Sequence, residues 1–155
     1  MTGPTHCFTP DLLQGKRALV TGGGTGIGRA IAFALAQAGA DLILAARQLP
    51  ALQATAKEIE TETGRNVLVT QVDIRSLDSV QALAGFVTEN GGQVDILVNN
   101  AGASMPGGDE WTHDGFEESV RVNLFSAYHM SQACFEHLKA SNIKGGASII
   151  GIASL

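Results

Sequence analysis

Six of the 19 glycines in this 155-residue chain fall between Gly15 and Gly28, and five of them form one run, Thr21-Gly-Gly-Gly-Thr-Gly-Ile-Gly28. A run of this kind does chemistry when it joins the end of a strand to the start of a helix. One glycine then permits the tight turn, another lets backbone approach a diphosphate, and a third lets the helix pack close to the strand. The helix's free N–H groups and dipole attract the negative charge. Gly22, Gly26 and Gly28 can fill these three roles, with Gly24, Thr25 and Ile27 completing the cradle. The plainer alternative is a turn that needs only conformational freedom. A P-loop is excluded, because no Gly-Lys-Ser/Thr closes the run and Arg29 is the first basic residue after it.

The elements that must position this loop follow from periodicity. Short apolar runs alternate with longer helical ones, as in βαβ units around a parallel sheet buried on both faces. Strands are expected at Arg17 to Thr21, Asp41 to Ala46, Asn66 to Val72, Val94 to Asn99 and Ala147 to Ile152. The first helix is expected to bury Ile27, Ile31 and Leu35 and to stop at Gly39. The second starts at Pro50, carries Leu52, Ala56 and Ile59 on one stripe, and ends near Gly64. Ser76 caps a third helix that runs to about Asn90. A single long helix is expected from about Asp114 to Lys139, with Phe116, Val120, Asn123 and Ala127 on its buried stripe. An amide in such a stripe needs a partner, either an ordered water or a free carbonyl.

Composition narrows the function further. At 45% hydrophobic and 16% charged, the chain is an ordinary globular domain, expected to be single and to span residues 1–155. Fifteen acidic against ten basic residues, with no basic run, argue against a nucleic-acid or anionic-membrane partner and for a small-molecule one. Cys7 and Cys134 form no CxxC pair, and the four histidines show no ligand spacing, so no metal site is expected and a reducing, cytoplasmic compartment fits.

The spacing TGxxxGxG, with Asp73-Ile74, Asn99-Asn-Ala-Gly102, Asn123-Leu124 and Ser148-Ile-Ile-Gly-Ile-Ala-Ser154 following in order, resembles the short-chain dehydrogenase/reductase family over nearly the whole chain. The resemblance implies an α/β Rossmann-type three-layer fold whose parallel sheet runs 3-2-1-4-5, truncated after the fifth strand. It places Asp73 and Ile74 near an adenine ring, and Asn100, Ala101 and Gly102 along the cofactor. Asp73 could instead be only a turn-forming carboxylate, and Asn99 a purely structural tie. An NAD-preferring site usually ends the second strand with Asp or Glu. This chain has Ala46 followed by Arg47, which can grip a 2′-phosphate, so NADP is expected ahead of NAD. A solvated Arg47 is the alternative.

In that family a Tyr-x-x-x-Lys pair supplies the proton, a preceding Ser bonds the substrate oxygen, and an Asn on the long helix holds a water in the proton relay. Ser154 and Asn123 match the last two, and the Tyr-Lys pair is expected beyond Leu155, along with the remaining strands. The expected function is an NADP-dependent oxidoreductase moving hydride between nicotinamide and a carbonyl or alcohol, lipid and acyl-thioester substrates included. Two alternatives stay open. One is an enoyl-CoA-type C=C reductase, since Phe8 to Gly15, Ala46-Arg47 and Asp73-Ile-Arg75 look like the enoyl-CoA and 2,4-dienoyl-CoA reductases of the family. The other is a truncated, non-catalytic nucleotide-binding module. The long helix resembles the surface through which family members pair, so a homo-oligomer is expected of the complete enzyme.

Overall fold

The structure, a computed structural model, describes residues 9, 11–104, 109 and 111–153. Five strands form one parallel sheet in the order β3-β2-β1-β4-β5: β1 (Arg17–Thr21), β2 (Asp41–Ala46), β3 (Val67–Gln71), β4 (Ile96–Asn99) and β5 (Ser148–Gly151). Alternate side chains of the central strands enter two separate cores. Ala18, Val20, Leu42, Leu44 and Val98 pack with α1 (Gly26–Gln37) and α2 (Leu49–Thr63) on one face. Leu19, Ile43, Ala45 and Leu97 pack on the other face with α3 (Leu77–Glu89) and the helical segments that follow β4. Leu19, Ile43 and Leu97 are each 0% exposed, and burying a side chain of this size contributes about 1.5–3 kcal/mol. The result is the three-layer arrangement with the expected strand order.

The register aligns the carboxyl ends of the strands. Thr21 lies opposite Ala45, Ala46 opposite Gln71, and Asn99 opposite Gly151. The connections leaving β1, β2, β3 and β4 therefore emerge along one edge of the sheet. Because β1 sends its chain toward β2 while its other neighbour is β4, the crevice between those connections is the switch point where ligands settle in open parallel sheets.

Two expectations about helix faces are corrected. In α1 the buried residues are Gly28, Ala32 and Ala36, while Ile27 is exposed and Ile31 and Leu35 are only partly buried. The helix starts at Gly26 and turns its small residues to the sheet, while Ile31 and Leu35 pack against the flank of the core. The single helix from Asp114 to Lys139 is instead four segments: α4 (His113–Val120), a π turn (Arg121–Phe125), α5 (Ser126–Ala133) and α6 (Phe135–Lys139). In the π turn the N–H of Ser126 reaches back five residues to the carbonyl of Arg121. The buried residues of these segments are Gly115, Val122, Ser126 and Met130, one position ahead of the expected stripe both before and after the π turn, so Phe116 and Asn123 are exposed.

β5 closes one edge of the sheet. Its four residues are exposed, with Ile149 and Ile150 among the large apolar side chains open to solvent.

Candidate functional site

The glycine run is shaped by what cannot fit around it. Gly22 holds φ +69°, and its N–H bonds the carbonyl of Ala45, fixing the turn to the end of β2. A Cβ at Gly28 would stand 2.2 Å from the carbonyl oxygen of Gly22 and 2.4 Å from Nδ2 of Asn100, so only glycine lets the first turn of α1 rest against the loop. Gly24 sits against the start of α2, and Thr55 Oγ1 donates to its carbonyl at 2.9 Å. Gly26, at φ +54°, faces open space. Thr25 is the N-cap of α1 but gives no side-chain hydrogen bond to it, so the amides of the first turn point outward without a side-chain acceptor. A backbone cradle with a glycine-lined approach and an uncapped helix start can hold a diphosphate.

The cradle opens into a cleft of about 490 Å³. Of the residues the sequence singles out, Gly22, Gly24, Thr25, Arg47, Asp73, Ile74, Ala101 and Gly102 line it. Gly26, Ile27, Gly28 and Asn100 lie beside the lining. Asn100 instead ties β4 to the glycine turn. Its Nδ2 donates to the carbonyl of Thr21 at 2.9 Å, and the backbone amides of Asn100 and Ala101 each donate to Thr21 Oγ1 at 3.0 Å. Asn99 donates to Ser131 Oγ at 3.2 Å, joining β4 to α5. Ser154 lies outside the described residues.

Arg47 is exposed at the rim, directly after β2, and Gln71 Nε2 donates to its carbonyl at 2.8 Å, which fixes that rim to the end of β3. Across the rim Asp73 is held by Arg75, which the sequence reading did not select as a site residue although it lines the same cleft. Arg75 Nε donates to Asp73 Oδ1 at 3.0 Å and its terminal nitrogen donates to Oδ2 at 2.7 Å. The backbone N–H of Arg75 also bonds Oδ1, at 3.1 Å. These bonds hold the Asp73 carboxyl at about 2, below its ordinary value of 3.8, with the Arg75 side-chain bond the largest cause and Arg47 adding a smaller favourable field. The turn-forming reading of Asp73 is thus realised by the Arg75 amide. The one sign of Arg75 in the sequence is its place two residues after a carboxylate at a strand end. Glu118 also lines the cleft, and its charge acts on Arg75.

Asn123 finds the free carbonyl expected for it, though on an exposed face rather than within a buried stripe. Its Nδ2 donates to the carbonyl of Ala103 at 2.9 Å and to that of Ser119 at 3.0 Å, while its Oδ1 accepts from the amide of Ala103 at 3.1 Å. The π turn thus places one side chain as a clasp on the loop after β4. A Cβ on Gly102 would come within 2.5 Å of that Oδ1, so glycine is required for the clasp to close.

The fold and cleft define a nucleotide-binding α/β domain, and comparison with known proteins makes the assignment sharper. The short chain dehydrogenase family profile matches residues 16–155, and the chain belongs to that family. Human retinol dehydrogenase 13 is 36% identical over 151 residues, covering 96% of this chain and 44% of that protein. Peroxisomal 2,4-dienoyl-CoA reductase of Danio rerio is 30% identical over 151 residues, covering 97% and 49%. Among solved structures, the Pseudomonas aeruginosa RhlG/NADP complex superposes with a TM-score of 0.84 at 32% identity, covering 95% of this chain and 58% of that one. A 7α-hydroxysteroid dehydrogenase with NADH and 7-oxo glycochenodeoxycholic acid gives 0.82 at 35% identity, covering 95% and 57%. The chain spans about half the length of the curated relatives it matches.

Proposed function

We propose that residues 1–155 form a single dinucleotide-binding domain of an NADP-dependent oxidoreductase that moves hydride between nicotinamide and a carbonyl or alcohol. The observation that carries the cofactor preference is Arg47 on the cleft wall directly after Ala46, with no carboxylate at the end of β2 to accept bonds from a ribose or to repel a 2′-phosphate. When bound, the nicotinamide supplies or accepts the hydride. The chain's own residues do the holding: the amides at the start of α1 take the diphosphate, Gly22 and Gly24 give it close approach, and Ala101 and Gly102 leave room for a ribose beside β4. Asn123 fixes the loop after β4 through Ala103, and Ser154 is proposed to donate a hydrogen bond to the substrate oxygen. The family's remaining proton-transfer groups are proposed to come from sequence outside the 155 residues.

Fluorescence titration with NADPH and NADH tests this reading. NADPH is expected to bind at least about tenfold more tightly, the worth of one charge-assisted contact, and Arg47→Gln is expected to remove that advantage while leaving NADH binding unchanged. Equal binding of the two by the unaltered chain would refute the NADP assignment, no binding of either would refute the domain assignment, and binding without turnover by the complete enzyme would favour the non-catalytic alternative. The C=C reductase reading is supported by the dienoyl-CoA reductase among the relatives, and turnover of an enoyl thioester against a ketone by the complete enzyme separates the two. Homo-oligomerisation belongs to the same proposal, supported by the exposed apolar residues Phe116, Leu124, Phe125, Tyr128 and Phe135 on the α4–α6 segments. Light scattering checks it. Among the described residues no helix is long and apolar enough to cross a membrane. A cytoplasmic setting is proposed with the rest, on the free thiol of the buried Cys134, and cell fractionation tests it.

A further inference from the structure

We propose that Asn90–Gly91 is a site of spontaneous covalent modification, promoted by Arg17, at which Asn90 is converted to a mixture of aspartate and isoaspartate and the end of α3 is loosened. It is the only Asn-Gly pair in the chain. Neither residue lines the cleft, so the inference stands apart from the dinucleotide-binding reading. The reaction needs a backbone nitrogen that can reach the carbonyl carbon of the preceding side chain. Glycine offers it best, because no Cβ blocks the approach, and each of the other asparagines precedes a residue that has one. Gly91 holds φ +106° and is exposed, and its N–H bonds the carbonyl of Thr88 at a long 3.4 Å. That nitrogen is lightly held and open to water.

Arg17 acts on the same peptide. A terminal nitrogen of its guanidinium donates to the carbonyl of Asn90 and lies 3.1 Å from where a Cβ on Gly91 would stand. A charge-assisted bond to that oxygen draws electrons from the peptide and makes its N–H easier to remove. Hydroxide takes the Gly91 proton, and the nitrogen attacks Cγ of Asn90. The new N–Cγ bond forms as the Cγ–Nδ2 bond breaks, and Nδ2 leaves as ammonia with a proton from water. Water then opens the cyclic imide, at the Cγ–N bond to give aspartate or at the original peptide C–N bond to give isoaspartate. The helix end restrains the first step, because Asn90 Nδ2 donates to the carbonyl of Phe86 at 2.8 Å, so the side chain turns toward Gly91 only when the last turn of α3 frays. Neither product can restore that bond. A carboxylate has no donor for the Phe86 carbonyl, and it stands at the negative end of the helix.

The test ages the full-length protein in mildly alkaline buffer and follows each asparagine by peptide mass spectrometry against synthetic aspartyl and isoaspartyl standards. Conversion is expected at Asn90 before Asn66, Asn99, Asn100, Asn123 or Asn142. Earlier conversion at any of those, or none at Asn90, would overturn the proposal. Arg17→Gln, checked for folding by thermal melt, is expected to slow conversion about fivefold, the kinetic worth of one hydrogen bond, and Arg17→Lys is expected to keep most of the rate. Misfolding would free the Asn90 side chain and speed the reaction, so a slower rate reports the lost contact. An equal or faster rate in folded Arg17→Gln would overturn the part given to Arg17. Asn90→Asp supplies the carboxylate without ageing and is expected to speed hydrogen exchange at the Gly92 amide, which bonds the carbonyl of Val87 at 2.9 Å. Unchanged exchange there would overturn the loosening of α3.

Discussion

Two carboxylates at opposite ends of the same sheet behave differently. Asp95, just before β4 at the amino edge, is 0% exposed and has its acceptor positions filled from within the chain. The Arg17 amide and Gln93 bond Oδ2 at 2.8 and 3.0 Å, while Gln93 and the hydroxyl of Ser141 bond Oδ1. Asp73, at the carboxyl edge, is more than a third exposed and keeps one position open. A carboxylate that only holds the fold is saturated and sealed, because an unpaired buried charge is costly. Asp73, proposed to face the cofactor, is oriented but left incomplete. The same contrast holds for the backbone: the amino edge is stitched by β1, β4 and β5, whereas the first turn of α1 at the carboxyl edge has no side-chain cap.

The largest expected effect lies at the saturated end. Asp95→Ala would leave the Arg17 amide, Ser141 and Gln93 without their acceptor and is expected to cost about 3 kcal/mol of stability, read as a lower urea midpoint, with dinucleotide affinity of the folded fraction unchanged. A loss of affinity without a loss of stability would break the division between the two edges. Asn123→Ala removes the clasp on Ala103, whose bonds are exposed, so about 1 kcal/mol is expected, together with faster hydrogen exchange at the Ala103 amide. An unchanged exchange rate there would mean that the loop holds itself.

The smallest effect is the titration of Asp73. Its folded value of about 2 lies below the ordinary 3.8, so its contribution to stability is fully present above about 3.8 and disappears as pH falls through about 2. The exposure of the carboxylate keeps that contribution slight. In Arg75→Gln the midpoint, followed by carbon NMR of the carboxyl, is expected to move up toward 3.8. A midpoint that stays near 2 would shift the credit from Arg75 to the loop amide and Arg47.

Legibility in the sequence follows the same division. The buried strands announce themselves as apolar runs such as Leu42 to Ala45, and the glycine loop does so because close approach at Gly28 and positive φ at Gly22 and Gly26 both call for glycine. The buried face of the helical stretch after β4 is hard to see in the sequence because it includes Gly115 and Ser126, which carry no hydrophobic signal. Asn100 and Arg75 were hard to assign for another reason. Their partners, the Thr21 carbonyl and the Asp73 carboxylate, are chosen by the fold, and no periodicity marks a side chain that turns inward to a neighbour.

The small face of α1 ties two properties together that are usually separable. Gly28, Ala32 and Ala36 act as a spacer of minimum thickness, and the same rod that rests on them begins, just past the cleft residues Gly24 and Thr25, with amides that no side chain caps. Thickening the spacer by one methyl would lever the rod away and swing its muzzle, so anchoring strength and ligand aim would drift together. Retuning which ligand fits without loosening the scaffold is then left to the rims, the short segments after β2 and β3 where Arg47 and Arg75 stand.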